Sequence, residues 1–311
     1  MAVPSDFELA WFYGHFTVQC VRAEGRAWED LVSNAMLARH GGDFIQVDAA
    51  GRGDKGCDGY VKGLMLACYG ATSPSDAYVR AKIQGDYAKA AAHWSNVMET
   101  WAFVHNNANG LPTMAAQAMA AMKSAGHPHS IEHWPPQVLW DNVYADLDRA
   151  KLSRLLGAPA SDRPAGMSYI AECVKLLSRS RLIVDVDETL PVPLKKMEYN
   201  RFSPSTVKLI TETKNHTHHV RYYFKHATPG EQFQVSENLR MRYDGFRATA
   251  SSADEVFYGL CDSLAEEAFG DELSPEIEQQ RSAALLVVTH FFESCLLFET
   301  PDEVRIRAAA L

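Results

Sequence analysis

Apolar positions keep two different rhythms along the chain. Between residues 7 and 40 they recur every three or four positions, at Phe7, Trp11, Phe12, Phe16 and Cys20 and then at Trp28, Leu31, Val32, Ala35 and Met36. That spacing predicts helices over 7–25 and 26–40, the second stopped by Gly41-Gly42. Short apolar runs follow. Residues 44–47 read as a strand, and 57–61 with 64–69 as a hairpin turning at Lys62-Gly63. Ser73-Pro74-Ser75-Asp76 caps a helix expected to run to about residue 94. Further on, 101–104 predicts a buried strand, 106–112 a loop, 114–124 a helix, 131–134 a last strand and 136–147 a closing helix. The order α-β-β-β-α-β-α-β predicts an α/β layer with a mixed sheet over 1–156.

Past residue 156 the strand rhythm disappears. Residues 157–167 are rich in Gly, Ala and Pro and read as a linker. Over 168–311 the signals are helical. Ser203-Pro204-Ser205, Thr228-Pro229-Gly230, Ser252-Ala253-Asp254 and Ser274-Pro275-Glu276 each combine a capping residue with a nearby acid or proline. The run 284–292 is apolar almost all round, which predicts a helix buried in a bundle or an interface.

Composition and charge narrow the picture. With 47% hydrophobic residues in 311, the chain can fill two cores. No apolar run approaches the roughly 18 residues of a membrane span, so no membrane association is expected. Nor does the N-terminal stretch read as an export signal. The six cysteines include no C-x-x-C pair, which argues against zinc or a disulfide framework and fits a reducing cytoplasm. Net charge is −9. Residues 1–156 hold 13 basic and 16 acidic side chains, and the remainder 17 and 23. Neither part offers the basic stripe of a protein that grips DNA unaided, so DNA binding here requires a partner subunit or self-assembly.

The chemistry concentrates around 54–69. A glycine-bracketed loop, Asp54-Lys55-Gly56-Cys57-Asp58-Gly59, delivers Asp58 to the start of a strand. Glu29 borders the apolar face of the helix upstream, and Lys82 lies on the helix downstream. Carboxylates on such a frame can hold Mg²⁺ or Mn²⁺, hard cations that take oxygen ligands and activate water toward a phosphodiester. A lysine beside the attacking water positions it and offsets developing negative charge. Each residue alone also has an ordinary explanation: Asp-Gly shapes hairpins, Glu29 suits a solvated helix face, and Asp54 suits a loop.

The pattern resembles the restriction-endonuclease-like core of the PD-(D/E)XK superfamily: a helix glutamate, a strand aspartate, then acid-x-lysine on the next strand. The segments 52–60, 67–69, 82–87, 93–94 and 101–106 resemble one group within it, the nuclease-like subunits of ABC-three-component conflict systems related to the Lamassu anti-phage and anti-plasmid systems. Residues 192–200 and 289–299 resemble the helical C-terminal domain of that group. The resemblance implies a Mg²⁺-dependent DNA endonuclease effector. Its helical domain would attach to an SMC-like ATPase partner, with a small accessory subunit and further copies of itself as additional partners. Glu29 and Asp58 would hold metal with the backbone carbonyl of Cys68, Lys82 would orient the nucleophile, and Asp54, Tyr69 and His105 would support the site.

One departure matters. Where acid-x-lysine should stand, the chain has Ala67-Cys68-Tyr69. Two accounts follow: the lysine has migrated to Lys82, or the site has decayed and the protein is an adaptor. An RNase on the same fold is a third reading. His216-Thr217-His218-His219 and His127-Pro128-His129 with His133 read as exposed turns rather than metal sites. Cys57 and Cys68 lack a histidine that would make either a nucleophile.

Overall fold

The computed structural model describes residues 3–47, 55–71, 74–163, 165–178, 194–270, 275–293 and 297–299. Asp54 and Ser274 lie outside them. The chain divides into two compact units, Gln19–Leu155 and Val3–Val18 with Leu156–Leu311. Among the described residues no helix is long and apolar enough to cross a membrane.

The first unit is an α/β layer. Its mixed sheet has the order β1-β2-β3-β4-β5, with β1 Ile45–Gln46, β2 Gly59–Val61, β3 Leu64–Tyr69, β4 Thr100–His105 and β5 Ser130–Trp134. The first three strands run antiparallel and the last three parallel. A short turn at Lys62-Gly63 suffices for the hairpin. The parallel joins need crossovers, which α3 (Asp76–Trp94) and α4 (Thr113–Ser124) provide. Alternation along β3 and β4 then divides the side chains. Met65, Ala67, Trp101, Phe103 and Ile131 enter one apolar cluster with Val79 and Ile83 of α3 and Ala115 and Met119 of α4. On α2 (Arg26–His40), Trp28 is fully buried and donates its indole N–H to the Val104 carbonyl at 3.1 Å.

The closing helix differs from the expected 136–147. Helix α5 (Pro136–Leu139) passes into a π-helical turn, Trp140–Tyr144, closed by Ala145 N–H to the Trp140 carbonyl at 2.9 Å. The wider turn stacks the Trp140 and Tyr144 rings 5.6 Å apart. Helix α6 (Arg149–Leu156) completes the unit's segment.

The second unit is helical. It contains the first part of α1 (Asp6–Arg22), then α7 Met167–Ser178, α8 Leu194–Tyr199, α9 Pro204–Lys214, α10 His218–Lys225, α11 Glu231–Arg247, α12 Ala253–Phe269 and α13 Ile277–Glu293. Ser203 and Ser252 cap α9 and α12, each accepting from an N–H three residues on. The stretch that reads as a linker packs on α13: Ala160 is buried and Ser161 N–H donates to Ser282 Oγ at 2.7 Å. Helix α13 is buried from Gln280 to Phe292, so Phe291 and Phe292 are core.

The two segments of the helical C-terminal resemblance bind each other. Lys196 is fully buried, donates to the Phe292 carbonyl at 2.7 Å and lies 4.3 Å from the centre of that ring. It thereby caps the α13 C-terminus, where carbonyls lack helical partners. Asn200 donates to the Glu299 carbonyl at 2.8 Å and accepts the Glu299 N–H at 3.2 Å.

Gly56 fixes how the 55–58 turn meets α3. Its φ is +79°, and a Cβ there would fall 2.1 Å from the Asp86 carbonyl oxygen. Gly56→Ala is expected to destabilise the protein by about 1–3 kcal/mol, seen as a lower urea midpoint.

Candidate active site

Asp58 stands at the end of β2. Its N–H donates to the Leu66 carbonyl at 2.7 Å, and its carbonyl accepts from Val47 N–H at 3.0 Å. Its carboxylate accepts the Cys68 N–H at 2.6 Å. The register pairs Gly59 with Leu66, so the side chain serves the rung where the short strand β2 has ended. Asp58 is therefore held against the backbone of β3 at Cys68, the residue whose carbonyl is the third proposed ligand.

The Cys68 thiol reports what surrounds it. Burial pushes it well above the ordinary thiol range; the negative charges of Asp58 and Glu29 push the same way, and the positive charge of Lys82 opposes them. Such couplings fade with distance, so the charges of Glu29, Asp58 and Lys82 are all felt at one sulfur. Glu29 is half-buried in the first turn of α2. Lys82, half-buried on α3, also lowers the Tyr69 phenol against the upward push of burial. Its charge thus acts at the carboxyl end of β3, where a strand lysine is missing.

Lys82 has a partner that the motif reading did not name. Its amine pairs with Asp86 at 2.6 Å, and Lys89 meets the other oxygen of the same carboxylate at 3.1 Å. Asp86 is buried, under the backbone that Gly56 brings close. The four-residue spacing on one helix was a readable signal for this pair.

Tyr69 and His105 stand apart from the carboxylates. Tyr69 stacks on Phe103 at 5.8 Å and packs against the cluster beneath α3 and α4, and strand alternation puts it on the opposite face of β3 from Cys68. His105 pairs with Tyr69 in register and is buried. Its Nδ1 accepts the Asn107 N–H at 3.2 Å, so Nε2 carries the proton and donates to His133 Nε2 at 2.6 Å. Burial, then the neighbouring His133, pushes His105 down to about 3. A neutral imidazole with both nitrogens committed positions the strand end and is no general base. His133 was not singled out as its partner in the sequence, because the two lie 28 residues apart.

Among the described residues no group of three His, Cys, Asp or Glu side chains gathers closely enough to hold a metal. Two carboxylates and a carbonyl are nevertheless a set that Mg²⁺ accepts, since it keeps several waters and takes one or two carboxylates. Glu29, Asp58 and the Cys68 carbonyl fit that requirement in chemistry. The five described cysteines are free thiols and buried.

Fold and site together define a protein of two parts, a mixed-sheet α/β unit with a polar edge and a helical unit that carries its own core. Residues 171–299 match the family model of C-terminal domain 10 of the ABC-three component (ABC-3C) systems. The match supports membership of the chain in the ABC-three component systems. No curated protein and no solved structure matches it.

His105 also makes stability depend on pH. Unfolded, it titrates near 6.5; folded, at about 3. Between those values the unfolded chain binds a proton that the folded chain refuses. This contribution is complete above pH 6.5 and declines as pH falls toward 3, by up to about 1.4 kcal/mol per pH unit. In urea titrations at stepped pH, His105→Gln is expected to flatten the dependence between pH 6.5 and 4.5 by about one proton relative to the parent chain.

Proposed function

We propose that the chain is the Mg²⁺-dependent DNA endonuclease effector of its ABC-three component system, controlled by an SMC-like ATPase partner. The observation that carries this is the Asp58 carboxylate held on the Cys68 N–H, with the charges of Glu29 and Lys82 acting on the same thiol. The strand directions support it: an antiparallel β1-β2-β3 meander extended by parallel β4 suits a restriction-endonuclease-like core.

In this reading Glu29, Asp58 and the Cys68 carbonyl would hold the ion, which would supply Lewis acidity toward the phosphodiester. The bond from Cys68 N–H holds the Asp58 carboxylate in one orientation without rotamer search. Lys82, aimed by Asp86, would place the attacking water and offset charge on the phosphoryl oxygens. Tyr69 and the His105–His133 pair brace the ends of β3 and β4. The net charge of −9 keeps intrinsic DNA affinity low, so activity depends on delivery of substrate by the partner.

A second reading has its own support. Asp58 already serves the β3 backbone, Lys82 already pairs with Asp86, and Ala67 and Tyr69 replace the strand acid and lysine. On those grounds the protein is an adaptor that keeps the scaffold without the chemistry.

Supercoiled plasmid incubated with the chain, its partner subunits and Mg²⁺ or Mn²⁺ separates the two. Asp58→Asn retains an acceptor for the Cys68 N–H. It is expected to fold normally and to nick about 100-fold more slowly or worse, as is Lys82→Ala. No cleavage of DNA or RNA under any condition, with the complex intact, establishes the adaptor.

A further inference from the structure

Glu212 and Glu231 bound an 18-residue stretch, 213–230, that contains no acidic residue in a chain of net charge −9. It holds Lys214, Arg221 and Lys225, four histidines, and the aromatic run Tyr222-Tyr223-Phe224. The structure makes the middle of this stretch, His218–Lys225, into α10, whose buried residue is Val220. His218, Arg221, Tyr222 and Lys225 recur at helical spacing and are all exposed. Tyr222 is 59% exposed, among the most exposed large apolar side chains described. The His226 ring lies against it at 4.7 Å.

Some of the positive charge is offset locally. The largely buried carboxylate of Glu293 takes Lys214 at 3.4 Å and Arg221 at 3.9 Å, leaving about two positive charges on this face before any histidine is protonated. The Lys214 and Arg221 side chains are themselves about half exposed. Where the stretch begins, Thr213 and His216 line a small cleft of about 20 Å³ with Ser161, Asp162, Arg163 and Ser282. The Thr213 hydroxyl is buried there without a hydrogen-bond partner.

We infer that the exposed face of α10 is a binding surface for single-stranded nucleic acid, with Arg221 and Lys225 on backbone phosphates and Tyr222 stacking on a base. Cations flanking an exposed aromatic ring are the combination that sequence-tolerant strand binding uses. An acidic protein surface would satisfy the cations and leave Tyr222 unused. This inference rests on the reading that the chain acts on nucleic acid. It answers what that reading otherwise lacks, a place on an acidic protein where the polymer is held.

The test is fluorescence anisotropy with labelled DNA and RNA strands of about 20 nucleotides, at about 50 mM salt and above. It uses the full chain in EDTA carrying Asp58→Asn, so that binding is read without cleavage and a failure here is separate from a failure of the hydrolytic site. The double variant R221E/K225E is expected to bind at least tenfold more weakly, with a salt slope shallower by about 1.4, the equivalent of two phosphate contacts on a single strand. Tyr222→Ala is expected to weaken binding while leaving the slope unchanged. All three positions are exposed, and unchanged thermal unfolding confirms that the variants fold. Undetectable binding of the parent chain to either strand overturns the inference. So does binding that survives R221E/K225E, and so does a surface that takes only acidic protein.

Discussion

A charge-assisted hydrogen bond from the Cys68 N–H to the Asp58 carboxylate is the constraint on which the edge of the α/β unit depends. Strand β2 is three residues long and stops before β3 does. Beyond Gly59 the β3 backbone needs an acceptor that β2 no longer supplies as a carbonyl. Asp58 supplies it with its side chain, while its own backbone bonds both β1's side and β3. Without that acceptor a buried amide goes unpaired, at a cost of about 1–3 kcal/mol. The same bond holds a carboxylate beside a buried thiol and a backbone carbonyl, so stability and candidate chemistry use one group.

That double use explains why the site is compact and charged. The charges of the half-buried Asp58 and Glu29 raise the negative potential at Cys68, and the charge of Lys82 opposes it there. Lys82 is held in turn by Asp86, which stays buried because two lysines compensate it. Gly56 lets the turn press directly on the helix that carries this pair. The helical unit solves its own burial problem differently. Helix α13 is buried from Gln280 to Phe292, and its last turn is closed by the ammonium of a fully buried lysine.

Much of the architecture was legible in the chain. The change of apolar period at the first strand, the hairpin turn at Lys62-Gly63 and the all-apolar run at 284–292 follow from local pattern, because burial on one face or all faces must be written into neighbouring residues. The closing helix of the α/β unit was not legible as built. A π turn leaves no periodic signature, and stacking of Trp140 on Tyr144 is a tertiary choice. The packing of 157–163 on α13 was hidden for the same reason: its alanines and serine look like linker until Ser282 is placed opposite Ser161.

By itself the sequence determined residue types and their spacing: an aspartate after a glycine turn, a glutamate bordering an apolar helix face, a lysine four residues before Asp86, and alanine and tyrosine where an acid and a lysine were expected. Only the tertiary structure decided which of them meet. It set Asp58 on the Cys68 N–H, paired Lys82 with Asp86, turned Tyr69 to the other face, and joined His105 to His133. Local pattern is set by the period of helix and strand, whereas convergence depends on register and crossover, which bring together groups tens of residues apart and leave no trace in either neighbourhood alone.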